Sequence, residues 1–318
     1  MTVALDELVR EATTRLQQAG VRDPEVQARA IASAALGDVP GFEGSEAMLT
    51  AQFVELVRRR SARVSLERLL GSVRFREIEI AVGRGVFVPQ PETEPVVEWC
   101  VREIGHQAIS SPRVIDLCTG SGVVALSLAH ELRDAEVHAV EIDPTAHAWA
   151  KQNADRRAAA GDRPIVLHLA DITALPHALD GTFDLVVSNP PYVADHEIDA
   201  VDPEVRDHDP RRALEGGADG LDLVRAVERV ASRLVKEGGL VVVEHSDRQG
   251  HSAPAVFAAT GQWVEIQDNR DQEGLDRFLT ARRHHGPGLD SQETAGARRH
   301  RSVTRSRPRP SSRKASEP

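Results

Sequence analysis

Five short apolar runs recur after Pro112, and stretches with helical periodicity separate most of them. They read RVIDL (113–117), EVHAVEI (136–142), PIVLHLA (164–170), FDLVVSN (183–189) and GLVVVEHS (239–246). Short apolar runs of this kind suit strands covered on both faces, and strands alternating with helices require a mostly parallel sheet. The intervening helices are expected from Gly122 to about Leu132 and from Pro144 to about Ala159, the second opened by Asp143-Pro144. WVEIQ (263–267) and RFLTARR (277–283) then read as a closing strand pair. The expected fold is α/β, a Rossmann-like, doubly wound, mostly parallel sheet.

The segment before the sheet has a different rhythm. Val3, Leu5, Leu8, Val9, Ala12 and Leu16 form one helical stripe, Asp23-Pro24 opens a second helix reaching Leu36, and a third runs from Glu46 to about Arg60. GSVRFREIEIAVGRGVFVP (71–89) alternates with glycine turns, as a β-hairpin connection does. The predicted domains are a small N-terminal helical domain over 1–70, a hairpin and linker over 71–95, the sheet domain over 96–283 and a disordered tail over 284–318.

Charge narrows the partners. The tail from Arg298 carries +7 and the whole chain −10, so residues 1–297 carry −17. An acidic body argues against nucleic acid as partner, leaving the basic tail as the one segment with the charge to touch RNA. Apolar residues at 41 % and charged residues at 28 % are ordinary for a soluble protein, and no apolar run approaches the length of a membrane span. Cys100 and Cys118 are the only cysteines, which suits a reducing cytoplasm and makes neither a disulfide framework nor a metal site. The chain is read as a cytoplasmic monomer without membrane or metal.

The chemistry concentrates where strands end. RVIDL runs into DLCTGSG (116–122), whose Thr119, Gly120, Ser121 and Gly122 form a tight turn into a helix. Such a turn lets backbone approach a ligand and offers free N–H groups at the helix start, though alone it can be purely structural. Glu141 ends the second run, where a carboxylate can accept both hydroxyls of a ribose; Asp143 is more simply a helix cap. Asp171 follows the third run, placed to accept from an adenine amino group. Asn189-Pro190-Pro191-Tyr192 closes the fourth, and Tyr192 is the only tyrosine in the chain. The prolines end the strand and stiffen the turn. Asn189 then sits at the strand's carboxyl end, where open α/β sheets bind ligands. His196, Glu197 and His208 follow in a segment read as a solvated loop.

This combination resembles a class I S-adenosylmethionine-dependent methyltransferase, and NPPY resembles the signature of enzymes that methylate planar amide or amino nitrogens. More narrowly, the chain is similar to the HemK family of protein-glutamine methyltransferases. The likeness runs from about Val64 to Arg283 and includes FVPQPETE (87–94), HDPRRALEGGADGLD (208–222), GGLVVVEHS (238–246) and EGLDRF (273–278). It implies methyl transfer from S-adenosylmethionine to the glutamine of the Gly-Gly-Gln loop in peptide chain release factors, the helical domain gripping the factor. By the same resemblance Asp116, Cys118, Thr119, Gly120, Ser121, Gly122, Glu141, Asp171, Ile172 and Asn189 hold the cofactor. Pro91, Glu92, Asn189, Pro190, Pro191 and Tyr192 line the substrate side, with Asn189, Pro190 and Tyr192 catalytic: in the reaction the resemblance implies, the Asn189 side-chain oxygen accepts one amide N–H, the Pro190 carbonyl accepts the other and the Tyr192 ring covers the flat group, an alignment that needs no strong general base. The family's arginine before PETE is Gln90 here, its DLGTG is DLCTG, and its EHG is EHS at Ser246. A thiol at 118 fits if that residue's φ is negative. The alternatives are glutamine in another protein, adenine N6 or guanine N2 of a nucleic acid, and a non-catalytic binding protein that keeps the fold.

Overall fold

The computed structural model of the chain describes residues 2–36, 46–107 and 109–284. The basic tail expected from 284 onward lies outside the described residues apart from His284 itself.

The chain opens with helices α1 (Thr2–Gln18), α2 (Pro24–Leu36), α3 (Glu46–Ser61) and the short α4 (Leu66–Leu70). Val9, Ala12 and Leu16 of the first stripe pack with Ile31, Phe53 and Val57 in a core of their own. Helix α4 was not legible in the sequence; Ser65 caps it by accepting from the Arg68 N–H, and Gly71 closes it at φ 80°. Strands β1 (Ser72–Phe75) and β2 (Ile78–Ala81) form the expected antiparallel hairpin.

Helix α5 (Glu94–Gln107), which the strand-based reading did not foresee, leads into the sheet domain. There β3 (Arg113–Leu117), α6 (Val123–Glu131), β4 (Glu136–Glu141), α7 (Pro144–Ala159), β5 (Val166–Leu169) and β6 (Phe183–Ser188) follow in turn. After α8 (Pro203–Arg206) come α9 (Asp222–Leu234), β7 (Val235–Glu244), α10 (Ser252–Ala258), β8 (Trp263–Arg270) and β9 (Asp276–Arg283). The seven strands order as β5-β4-β3-β6-β7-β9-β8, with β3 to β7 parallel and β9 antiparallel to both β7 and β8. Alternation buries both faces: Leu185 and Val187 of β6 join the core under α5 and α6 and Val186 the core under α9 and α10, where Phe183 also lies because the register shifts between it and Leu185. Strand order reverses between β3 and β6, and ligands of open α/β sheets bind at the carboxyl ends beside such a point.

Three arginines tie the helical bundle to the segment after β6. Arg60, 2 % exposed, donates to Glu204 Oε1 at 2.6 Å and to Gln27 Oε1 at 2.6 Å. Arg63 reaches Asp202 and Glu204, each at 3.2 Å. Arg68 pairs with the buried Asp209 and donates to the Val86 carbonyl at 3.0 Å. The hairpin is pinned by Asn153 of α7, which exchanges hydrogen bonds with the Ala81 backbone at 2.9 and 3.0 Å and donates to the Ser121 carbonyl at 3.0 Å.

Candidate active site

The loops after β3, β4, β5 and β6 meet the PETE turn and the bundle around a cavity of about 1080 Å³. Asp116, at the end of β3, is 1 % exposed and accepts from the Thr119 hydroxyl at 2.5 Å and the Ala125 N–H at 3.2 Å. Burial pushes its carboxyl up to about 7 against those two bonds. The turn that follows depends on glycine: Gly120 has φ 57°, and a Cβ there would meet no protein atom within 4 Å, so the cavity wall stays open.

Glu141 closes β4 with both oxygens engaged by backbone: Oε2 accepts from the Gly120 N–H at 2.9 Å and Oε1 from the Asp143 N–H at 2.8 Å. Each oxygen keeps a lone pair for a further donor, which is what two neighbouring hydroxyls require. Burial raises its pKa, partly offset by those N–H bonds. Asp143 caps α7, accepting from Thr145 and Ala146, as its position before Pro144 implied. Asp171 spends Oδ1 on the Thr173 N–H and hydroxyl, and these bonds lower its pKa; it therefore faces the cavity as an anion with Oδ2 in hand.

At the end of β6, Asn189 donates its Nδ2 to Thr93 Oγ1 at 3.2 Å, and no described residue donates to its Oδ1. The turn is held from behind. The Val193 N–H donates to the Leu214 carbonyl at 2.9 Å, the Gly216 N–H donates to the Val193 carbonyl at 2.8 Å, and Gln249 donates to the Tyr192 carbonyl at 3.1 Å. Gly220, at φ 74°, lies so close that a Cβ would sit 2.4 Å from the Tyr192 carbonyl oxygen, so the GGADG run is needed for this backbone contact. Tyr192 donates its hydroxyl to Glu244 Oε1 at 3.1 Å. Its phenol is thus occupied by Glu244, and burial with that neighbouring carboxyl raises its pKa. Burial also pushes Glu244 up to about 7, against the Thr93 hydroxyl, Arg277 and Tyr192.

The cavity brings together Asp116, Cys118, Thr119, Gly120, Ser121, Glu141, Asp171 and Ile172 with Glu92, Asn189, Pro190, Pro191 and Tyr192. Two expected residues are not on its wall. Pro91 is exposed at the start of the PETE turn, and Gly122 packs behind the loop, where a Cβ would meet Leu126 Cδ1 at 3.3 Å. Cys118 corrects a stated condition: its φ is 63°, so a side chain with a Cβ occupies left-handed backbone. The loop residues are not merely solvated either, since Glu197 accepts from Arg248 at 2.7 Å and His208 Nε2 lies 3.1 Å from the Ala62 carbonyl. Sequence reasoning quoted the segments holding Thr93, Glu244 and Arg277 but gave those residues no role. The signal available was only their position beside strand ends and inside the PETE turn.

Residues 98–207 match the family model described as Methyltransferase small domain. A release factor glutamine methyltransferase of Streptomyces coelicolor is 44 % identical over 277 residues, covering 86 % of this chain and 96 % of that protein. The chain belongs to the release factor glutamine methyltransferase family. A family member from Corynebacterium glutamicum is 40 % identical over 88 % of this chain and 99 % of its own length. A relative named 4-amino-L-phenylalanine/4-methylamino-L-phenylalanine methyltransferase, from Streptomyces pristinaespiralis, is 36 % identical over 90 % of this chain and 98 % of its own. The parallel sheet with its antiparallel β8–β9 edge is the class I methyltransferase architecture expected of the family. Among the described residues no helix is long and apolar enough to cross a membrane.

Proposed function

We propose that this enzyme transfers a methyl group from S-adenosylmethionine to the side-chain amide nitrogen of the glutamine in the Gly-Gly-Gln loop of a peptide chain release factor. The observation that carries this reading is the Asn189 amide, held by its nitrogen on Thr93 and left with an unengaged oxygen beside the rigid Pro190 backbone. Asn189 Oδ1 and the Pro190 carbonyl accept the two N–H bonds of the substrate amide. That fixes its plane and directs electron density onto nitrogen as positive charge develops.

The residues at the carboxyl ends of β3 to β5 fit S-adenosylmethionine. Glu141 is oriented by two backbone donors toward ribose hydroxyls, Asp171 Oδ2 with Ile172 suits the adenine, and the open Gly120 turn accepts the amino-acid portion. The cofactor supplies a methyl group already activated on a sulfonium. An amide nitrogen is a weak nucleophile, so the chain's own contribution is alignment, which is worth roughly 7–11 kcal/mol without a general base. The amide proton passes to solvent afterwards. The part of the cavity wall that carries Arg22, Arg63 and Arg212 receives the rest of the factor.

The experiment is peptide-resolved mass spectrometry of an unmodified release factor incubated with the enzyme and S-adenosylmethionine, with a Gln→Ala factor as control. One methyl on that glutamine, absent from the control, is the expected result. Methylation at another site or none at all overturns the substrate assignment. The arylamine relative makes 4-amino-L-phenylalanine the second substrate to assay.

A further inference from the structure

We propose that Gln249 is a positioning residue for methyl transfer: its buried side-chain amide fixes the backbone that leads out of the Asn189-Pro190-Pro191-Tyr192 turn. The inference rests on the glutamine methyltransferase reading and concerns how the acceptor turn of that reaction is kept in place.

The turn has few tethers of its own. Pro190 and Pro191 have no N–H to donate, so two successive residues cannot be tied through their nitrogens. Upstream the chain is held by β6, where Ser188 pairs with Leu117 and Val243 and its hydroxyl donates to the Leu117 carbonyl at 2.7 Å. Downstream, the peptide unit between Tyr192 and Val193 is held on both sides. Its N–H donates to the Leu214 carbonyl at 2.9 Å, and its carbonyl accepts from Gln249 Nε2 at 3.1 Å. These two anchors bracket the Pro190 carbonyl, which accepts a substrate N–H in the proposed reaction.

Gln249 lies between β7 and α10, is 6 % exposed and is not on the cavity wall, so it acts through the turn and not on the substrate. Its Nε2 also donates to the Asp219 carbonyl at 3.3 Å, and its Oε1 accepts from the Ser246 N–H at 3.0 Å. One carboxamide thus joins the NPPY turn, the GGADG run and the EHS segment. Carbonyls only accept and a backbone N–H only donates, so these partners leave the amide a single orientation. Gly220 permits the approach, since a Cβ there would stand 2.5 Å from Gln249 Nε2. The Tyr192 side chain is held separately, by its hydroxyl on Glu244 Oε1 at 3.1 Å, which leaves the main chain to Gln249.

The test measures kcat and KM with a release factor, and S-adenosylmethionine affinity and stoichiometry by calorimetry. The full chain is compared as wild type, Gln249→Met, Gln249→Glu and Trp263→Phe. Methionine keeps the length and loses every hydrogen bond; glutamate keeps an acceptor for Ser246 but turns an oxygen toward two carbonyls. Trp263→Phe is the control, removing a different buried bond, from Trp263 Nε1 on the edge strand β8 to Glu228 at 2.9 Å. Positioning predicts that both Gln249 variants lower kcat per cofactor-binding site by about ten- to a hundredfold, with cofactor affinity retained and KM changed far less. Trp263→Phe stays near wild type by the same measure. A purely structural role instead lowers the cofactor-binding stoichiometry and leaves kcat per site unchanged. That result overturns the proposal, as does wild-type kcat in either Gln249 variant, equal loss of kcat and cofactor affinity, or an equal fall in Trp263→Phe. Gln249→Glu is the readout if Gln249→Met does not fold. A wild-type enzyme that leaves the factor unmethylated instead overturns the functional reading beneath it.

Discussion

Replacing Cys118 by glycine and, separately, by alanine isolates a backbone cost at the turn after β3. Cys118 has φ 63°, and an L-residue with a Cβ in that region costs about 1–2 kcal/mol. Both variants lose the sulfur, so their difference reports the Cβ alone. Alanine retains the left-handed penalty. Glycine removes it but gains unfolded-state freedom that costs roughly 0.5–1 kcal/mol. The glycine variant is therefore expected to be more stable than the alanine variant by about 0.5–1 kcal/mol, near 1–4 °C in melting temperature. Wild type shares alanine's left-handed penalty and adds the packing of a half-buried thiol, so it lies at or above the alanine variant. Urea unfolding followed by tryptophan fluorescence, with thermal melts in cofactor-free buffer at one pH, gives both differences. An alanine variant as stable as the glycine variant refutes the strain argument.

Asn189→Ala is expected to lower turnover by about 10²–10³-fold while calorimetry finds cofactor affinity largely kept; equal loss of both would end the division between the two halves of the cavity. Arg68→Met leaves Asp209 buried without its cation and strips a donor from the Val86 carbonyl, so unfolding free energy should fall by about 3–5 kcal/mol. In a double-mutant cycle with Asp209→Asn the second change then costs much less, and strict additivity would contradict a coupled pair. Asp116, raised from its ordinary value to about 7 by burial, binds its proton more tightly folded than unfolded. Its contribution is present at pH below about 4 and is lost as pH rises through 7, so the gap between wild type and Asp116→Asn should change across that window and be flat outside it. Denaturant titrations of both proteins from pH 4 to about 8 measure that gap, and a constant difference refutes the assignment.

Local patterning determined much of this protein. Strand runs such as RVIDL and FDLVVS carry their own period and length, Asp143-Pro144 carries its own cap, and Asn-Pro-Pro-Tyr stops a strand wherever it stands. From these the parallel sheet, the carboxylates at its carboxyl ends and the stiff turn after β6 were readable. Contacts distant in sequence were not, because no periodicity encodes them. Thr93 and Glu244 are ordinary residues until β7 and the PETE turn meet beside Asn189. Arg60, Arg63 and Arg68 carry no local signal of their role, which comes only when Asp202, Glu204 and Asp209 close on them across more than a hundred residues. The left-handed φ of Cys118 likewise follows from the sheet and the helix it joins, which set the path of the turn regardless of which side chain sits there. Local pattern sets what each segment prefers to be; only packing decides which polar groups are buried together, because those contacts join residues far apart in the chain.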